Sequence, residues 1–227
     1  MNEFLTVTAK LTEGFGVTLS LFFLTLILSI PLGLIFACMS RMKLKIIQYP
    51  IRTFIYIIRG TPLLLQLMIV VYLPGIALGA PITKWSIFNN NVSLAYFCGA
   101  LFAFTINYAC YFSEIFRGGI ENVPKGQYEA GAVLGMTKSQ VFFRVILLQV
   151  IRNILAPMSN EIITLVKDTA LARTVSVVEI LFCANEFLKL DCIIWPLFYT
   201  GVFYLGFSAI LTLLFHKAEK KLSRYWK

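Results

Sequence analysis

Long uncharged runs constrain this chain more than any other feature. Val17–Met39 and Cys192–Phe215 hold no Asp, Glu, Lys or Arg, and neither does Trp85–Ser113. A further apolar run from Phe54 to Leu73 carries Arg59 as its sole charge, and Leu147–Val166 carries Arg152 and Glu161. A helix needs about 20 apolar residues to cross the hydrocarbon of a bilayer. With 59% hydrophobic residues over 227, the chain reads as an all-α integral membrane protein. We expect one domain with five spans near 17–39, 54–74, 92–113, 147–168 and 193–215. Residues 1–16 place Phe4, Leu5, Val7, Leu11 and Phe15 at near-helical spacing. They suggest either an amphipathic helix lying on the outer surface or a frayed terminus. No cleavable signal peptide is expected.

Charge orients the spans. Segments 40–59, 114–152 and 216–227 each hold five Lys or Arg, whereas 1–16, 74–91 and 167–191 hold one, one and three. The positive-inside rule places the first set in the cytoplasm. The N-terminus then lies outside and the C-terminus inside. The net charge of +9 follows from this distribution, so nucleic acid is not an expected partner; the bilayer is.

One island breaks the apolar pattern, Pro124 to Gln149. Pro124 suits a helix start, Gly135 suits a left-handed stop, and Thr137 with Gln140 spells a capping box for a second helix. The expected product is a cytoplasmic helical hairpin over about 123–146, too polar to lie in lipid.

The spelling Glu129-Ala130-Gly131, then Gly135, then Val145-Ile-Leu-Leu148 resembles the EAA motif of permease subunits of bacterial ABC importers. Gly131 replaces that motif's second Ala and Leu148 its closing Pro; losing the Pro suggests a helix that runs on into the next span. Arg59-Gly60-Thr61-Pro62-Leu63, Glu114–Gly119, Val123–Gln127 and Lys167-Asp168-Thr169 resemble the polar amino-acid (histidine, glutamine and arginine) branch of that family. The resemblance covers nearly the whole chain. It implies a type I importer of the bacterial inner membrane. It also implies a second permease chain (identical or a paralogue), two cytoplasmic ABC ATPase subunits and an external solute-binding protein. Glu129, Ala130, Gly131, Gly135, Met136 and Thr137 would then couple the permease to the ATPase.

Polar residues at membrane depth are costly and often functional. Asn107, Tyr111 and Glu114 share one helix face, as do Glu161, Thr164 and Asp168. Glu161 and Asp168 could accept from an ammonium group, while Asn160, Thr164 and Lys167 could donate to a carboxylate. Thr61 is a further candidate for the path, although Arg59–Pro62 reads chiefly as packing between permease halves. Two plainer readings stand beside these: Glu114 pairs with Arg117, and Lys167 with Asp168 caps a helix end. The resemblance favours the path for Asp168. Pro157 should kink its helix. Gln66 is a lone amide in an apolar run.

Other chemistry has little support. His216 is the single histidine, and no ligand spacing for a metal occurs. No Walker sequence is present, so this chain is expected to hold no cofactor and to leave ATP hydrolysis to a separate subunit. The scattered carboxylates argue against an integral membrane enzyme. Five spans without an even inverted repeat argue against a stand-alone secondary transporter. Cys183 and Cys192 share an external loop, and whether they pair is left open.

Overall fold

The computed structural model describes residues 2–89 and 91–224. The basic segment 216–227 therefore runs partly outside the described residues. Nine α-helices occur among those described: α1 (Asn2–Ser40), α2 (Lys45–Arg59), α3 (Leu63–Leu78), α4 (Val92–Glu121), α5 (Lys125–Val133), α6 (Lys138–Val141), α7 (Leu147–Asp168), α8 (Ile180–Asp191) and α9 (Trp195–Arg224). Four stretches are long and apolar enough to cross a membrane: Glu3–Ser40, Val92–Glu121, Lys138–Val175 and Trp195–Leu222. The bent pair α2 and α3 makes a fifth if it counts as one span.

Helix α1 corrects the expectation for residues 1–16. Residues 2–16 form neither a separate surface helix nor a frayed end but the first turns of a 39-residue helix, while Met1 lies outside the described residues. At about 1.5 Å per residue, such a helix is far longer than the roughly 30 Å of hydrocarbon. Its leading apolar face meets protein: Val7 and Leu11 are buried with Ile180, Cys183 and Ala184 of α8. Gly14 makes the approach possible, because a Cβ there would come 2.9 Å from the Ile180 Cα. Further along α1, the small residues Thr25, Ser29, Gly33 and Ala37 recur every four positions, and all are buried. They form one face, and at Gly33 a Cβ would come 2.9 Å from the Ala109 carbonyl oxygen of α4. Small residues let membrane helices pack backbone to backbone. Phe22, Phe104, Tyr108 and Phe112 fill the core beside this seam.

The apolar run at 54–74 is not one straight helix. α2 and α3 meet at 104° across Gly60–Pro62. Pro62 lacks an N–H and pushes Thr61 out of helical geometry, and it caps α3 in extended conformation. The amide of Gln66 fills the gap. Its Nε2 donates to the Ile58 carbonyl at 2.7 Å, the Thr61 carbonyl at 3.1 Å and the Thr61 Oγ1 at 2.8 Å. Its Oε1 accepts from Asn107 Nδ2 at 3.0 Å. The lone amide is thus the bolt that fastens the break to α4.

After α4 the chain makes its hairpin. Gly135 adopts φ +70°. The Gly135 N–H donates to the Ala132 carbonyl and the Met136 N–H to the Gly131 carbonyl, both at 3.0 Å, a Schellman stop. Thr137 and Gln140 form the reciprocal capping box that opens α6. A π-helical stretch at Phe142–Ile146 joins α6 to α7, and helix continues past Leu148 and through Pro157. Beyond α7, a 3₁₀ stretch spans Thr169–Val175 and Glu179 caps α8. Cys183 is buried, Cys192 is exposed, and both are free thiols.

A polar cavity at the helix break

A cavity of about 470 Å³ opens where the α2–α3 break faces α4 and α7. The break contributes Arg59 and Thr61, α4 contributes Asn107, Tyr108 and Tyr111, and α7 contributes Glu161, Thr164 and Asp168. Helical periodicity places Asn107 with Tyr111, and Glu161 with Thr164 and Asp168. Tertiary packing brings the two faces together.

The electrostatics are arranged in opposition. Arg59 is the one cation among the lining residues, and Glu161 and Asp168 are the carboxylates. The Arg59 guanidinium lies over the Tyr111 ring, 5.1 Å from its centroid, a cation–π contact. Across the cavity, Tyr108 donates its hydroxyl proton to Asp168 Oδ2 at 2.7 Å, a charge-assisted bond. Glu161 is half-buried in the lining and makes no hydrogen bond or ion pair among the described residues, which leaves its carboxylate available as an acceptor. Thr61 is committed locally: its hydroxyl donates toward the Ile57 carbonyl at 3.0 Å and accepts from Gln66.

Three sequence candidates lie off this cavity. Glu114 accepts from Arg117 Nε at 3.1 Å and pairs with Arg59 Nη1 at 3.5 Å. Its carboxylate is therefore held in an ion-pair chain that runs on through Arg117 to Glu121 at 3.5 Å. Asn160 and Lys167 are exposed, each one residue, or about 100°, around the helix from a lining carboxylate. Tyr108 was not singled out from sequence, because one aromatic in an aromatic-rich helix reads as core; it is indeed 2% exposed, yet its hydroxyl reaches the site. Arg59 reads from the sequence chiefly as packing; its place in the cavity depends on the bend. A larger cavity of about 620 Å³ between α3 and α4 is lined by Val70, Leu73, Phe88 and Phe102, among others, and offers nothing to a charged solute.

The hairpin forms a second surface. Glu129, Ala130 and Thr137 are exposed, and Met136 packs on a small cluster of Val123, Val141, Ile146 and Val150. Val133 and Leu134 stand at its tip, 88% and 78% exposed. Gly131 is buried against Val141, whose side chain occupies the space that an Ala methyl would need. That contact explains Gly where the EAA spelling has Ala.

Residues 29–224 match the family described as the binding-protein-dependent transport system inner membrane component. The chain belongs to this family. It is 37% identical over 218 residues to the L-cystine transport system permease protein of Bacillus subtilis, covering 95% of this chain and 87% of that one. The arginine ABC transporter permease protein of Haemophilus influenzae is 30% identical over 225 residues, with 97% and 94% covered. The histidine/lysine/arginine/ornithine permease protein of Escherichia coli K12 is 34% identical over 215 residues, with 94% and 89% covered. A crystal structure of an amino acid ABC transporter with histidines superposes with a TM-score of 0.84 at 28% identity, covering 96% of this chain and 97% of that one. The chain is thus a multi-pass membrane permease subunit of an ABC transporter rather than an enzyme, and in such systems the ATPase is a separate subunit.

Proposed function

We propose that this permease forms half of the membrane path of an ATP-driven importer for polar amino acids. Its N-terminus lies outside, its C-terminus lies in the cytoplasm, and it spans the bacterial inner membrane five times, with α2 and α3 as one broken span. A second permease, identical or a paralogue, completes the path, and two cytoplasmic ATPase subunits drive it. An external solute-binding protein delivers the amino acid. The permease relatives named for cystine, arginine and histidine transport support the class. The observation that carries the reading is the cavity, which sets a guanidinium against two carboxylates inside an apolar bundle.

The chemistry follows from the charges. The α-ammonium group of an amino acid is received by Glu161 and Asp168, and its carboxylate by Arg59 and the Thr164 hydroxyl. Asn107 and Tyr111 line the way. The α5–α6 hairpin docks in a groove of the ATPase through Glu129, Ala130, Thr137 and the apolar tip. Closure of the ATPase pair on ATP draws the two hairpins together and turns the path outward. Hydrolysis lets them part, and the path reopens inward. The permease contributes different contacts in two states rather than bond chemistry.

Uptake of labelled amino acids into proteoliposomes holding the full complex tests this reading. Glu161→Ala and Asp168→Ala should each cut uptake at least several-fold while the ATPase still copurifies. Wild-type kinetics in both variants would move the path away from this cavity.

A further inference from the structure

Cations are scarce on the side of the molecule away from the hairpin, and they are unevenly placed. In the proposed topology the outer segments hold Lys10, Lys84, Lys167, Arg173 and Lys189. Three of these five gather around one concavity of about 310 Å³. Arg173 projects from the 3₁₀ stretch after α7 and Lys189 from the last turn of α8; both are exposed on its rim. Lys10 of α1 reaches the same rim by its ion pair with Glu186 at 3.2 Å. That pair leaves the carboxylate of Glu186 already matched. Arg173 and Lys189 form no ion pair among the described residues. Asn185 and Thr174 add polar groups beside them, and Phe182 supplies an apolar side.

The concavity is also fastened to the transport machinery. Its 3₁₀ stretch begins at Thr169, directly after Asp168 of the cavity. Tyr72 of α3 donates its hydroxyl proton to the Thr174 carbonyl at 3.3 Å. Glu179, fully buried, accepts from the Leu181 and Phe182 amides at 2.9 and 2.7 Å and from the Tyr204 hydroxyl at 3.2 Å. These bonds tie the segments that carry Arg173 and Lys189 to α3 and α9, and the chain itself joins Arg173 to α7.

We infer that this concavity is where the external solute-binding protein docks, with carboxylate side chains of that protein seated between Arg173 and Lys189. The inference rests on the importer reading above and adds the place and the chemistry of contact. Two exposed cations without an ion pair beside a polar notch favour an acidic counterpart. The direct connection to Asp168 gives docking a route to the cavity.

The test uses the complete transporter, with its ATPase, in nanodiscs of neutral phosphatidylcholine. The probe is the purified solute-binding protein that stimulates the wild-type complex. Lys189→Glu should weaken its binding about tenfold or more, Lys189→Gln and Arg173→Gln each by a few-fold, and all three should flatten the salt dependence of binding. Salt matters because the screening length falls from about 10 Å at 0.1 M to about 3 Å at 1 M. Lys84→Glu makes the same charge change on the same face away from the notch, and it should bind as wild type. Replacing one surface carboxylate of the binding protein by Lys should restore affinity toward Lys189→Glu. Wild-type affinity in the Lys189 and Arg173 variants overturns the inference, as does an equal loss in Lys84→Glu. A wild-type complex that binds no solute-binding protein overturns the importer reading along with it.

Discussion

The α5–α6 turn and the α2–α3 break each stop a helix within four residues, yet they hold their shapes by different means. The turn is closed by neighbours: a left-handed Gly135, a Schellman pair of backbone bonds and the Thr137–Gln140 box. The break is closed by a side chain that also binds another helix: Gln66 reaches back to Ile58 and Thr61 and, 41 positions along the chain, across to Asn107 on α4. A locally capped hairpin keeps its form when the helices around it move, which is what a lever requires. A bend fastened by one amide to another helix changes when that helix shifts, which suits the wall of a path that must open and close. In this permease the rigid device lies at the motor end and the adjustable one beside the charges.

The most severe way to break the comparison is Gly135→Val. A left-handed conformation costs an L-residue about 1–2 kcal/mol, and a β-branched side chain fits it worse still. The stop itself is made by adjacent backbone groups that this change disturbs, so the ATPase should no longer copurify and uptake should fall at least tenfold. Helical content by circular dichroism should stay near wild type. Normal ATPase recovery and uptake would show that the hairpin does not depend on its local stop.

The start of α8 lies between the two cases, since its cap is local but buried. Burial pushes the Glu179 carboxyl up to about 7, against the opposing pull of the Leu181 and Phe182 amides, the Tyr204 hydroxyl and Arg173. A carboxyl raised in the fold binds its proton more tightly there than in the unfolded chain. Its contribution is complete below the ordinary carboxylate range, and it is lost as pH rises through about 7. Each unit of separation is worth about 1.4 kcal/mol. The thermal midpoint of the detergent-solubilised protein should drop between roughly pH 5 and pH 8. Glu179→Gln should remove most of that slope. A wild-type slope in the Gln variant would assign it to another group.

Gln66→Leu sharpens the contrast from the other side. It deletes the bolt and leaves Asn107, 4% exposed, without its partner. An orphaned buried amide costs about 1–3 kcal/mol, so thermal stability and uptake should fall while ATPase recovery is kept. Adding Asn107→Leu should cost less than the sum of the two single changes. Strict additivity would mean that the two amides do not act as a pair.

How far each region could be read from the chain follows the same division. The hairpin was legible because Gly135, Thr137 and Gln140 act within five residues of one another. The faces of α4 and α7 were legible by helical spacing, which grouped Asn107 with Tyr111 and Glu161 with Asp168. The same spacing grouped Glu114 with the path, because no local rule reveals that Arg59 swings across the break to within 3.5 Å of it. Gly60-Thr61-Pro62 was visible as an interruption, but the 104° bend depends on a side chain from the next helix turn and on α4. The seam of Thr25, Ser29, Gly33 and Ala37 carried a four-residue rhythm that could have been read, and the length of the apolar run obscured it. Residues 1–16 showed their apolar face but not its occupant, since α8 arrives more than 160 positions later.

The mildest test asks whether the hairpin caps are separable. Thr137→Ala removes the hydroxyl that accepts from the Gln140 N–H at 3.3 Å, and an N-cap of this kind is worth about 1 kcal/mol. The Schellman stop at Gly135 does not use that hydroxyl and should remain. Uptake should therefore fall by less than about threefold, with the ATPase still attached, and Thr137→Ser should behave as wild type because it restores the acceptor. A loss as large as that of Gly135→Val would instead make the two caps one cooperative unit, and the hairpin would then resemble the α2–α3 break more closely than its local bonding implies.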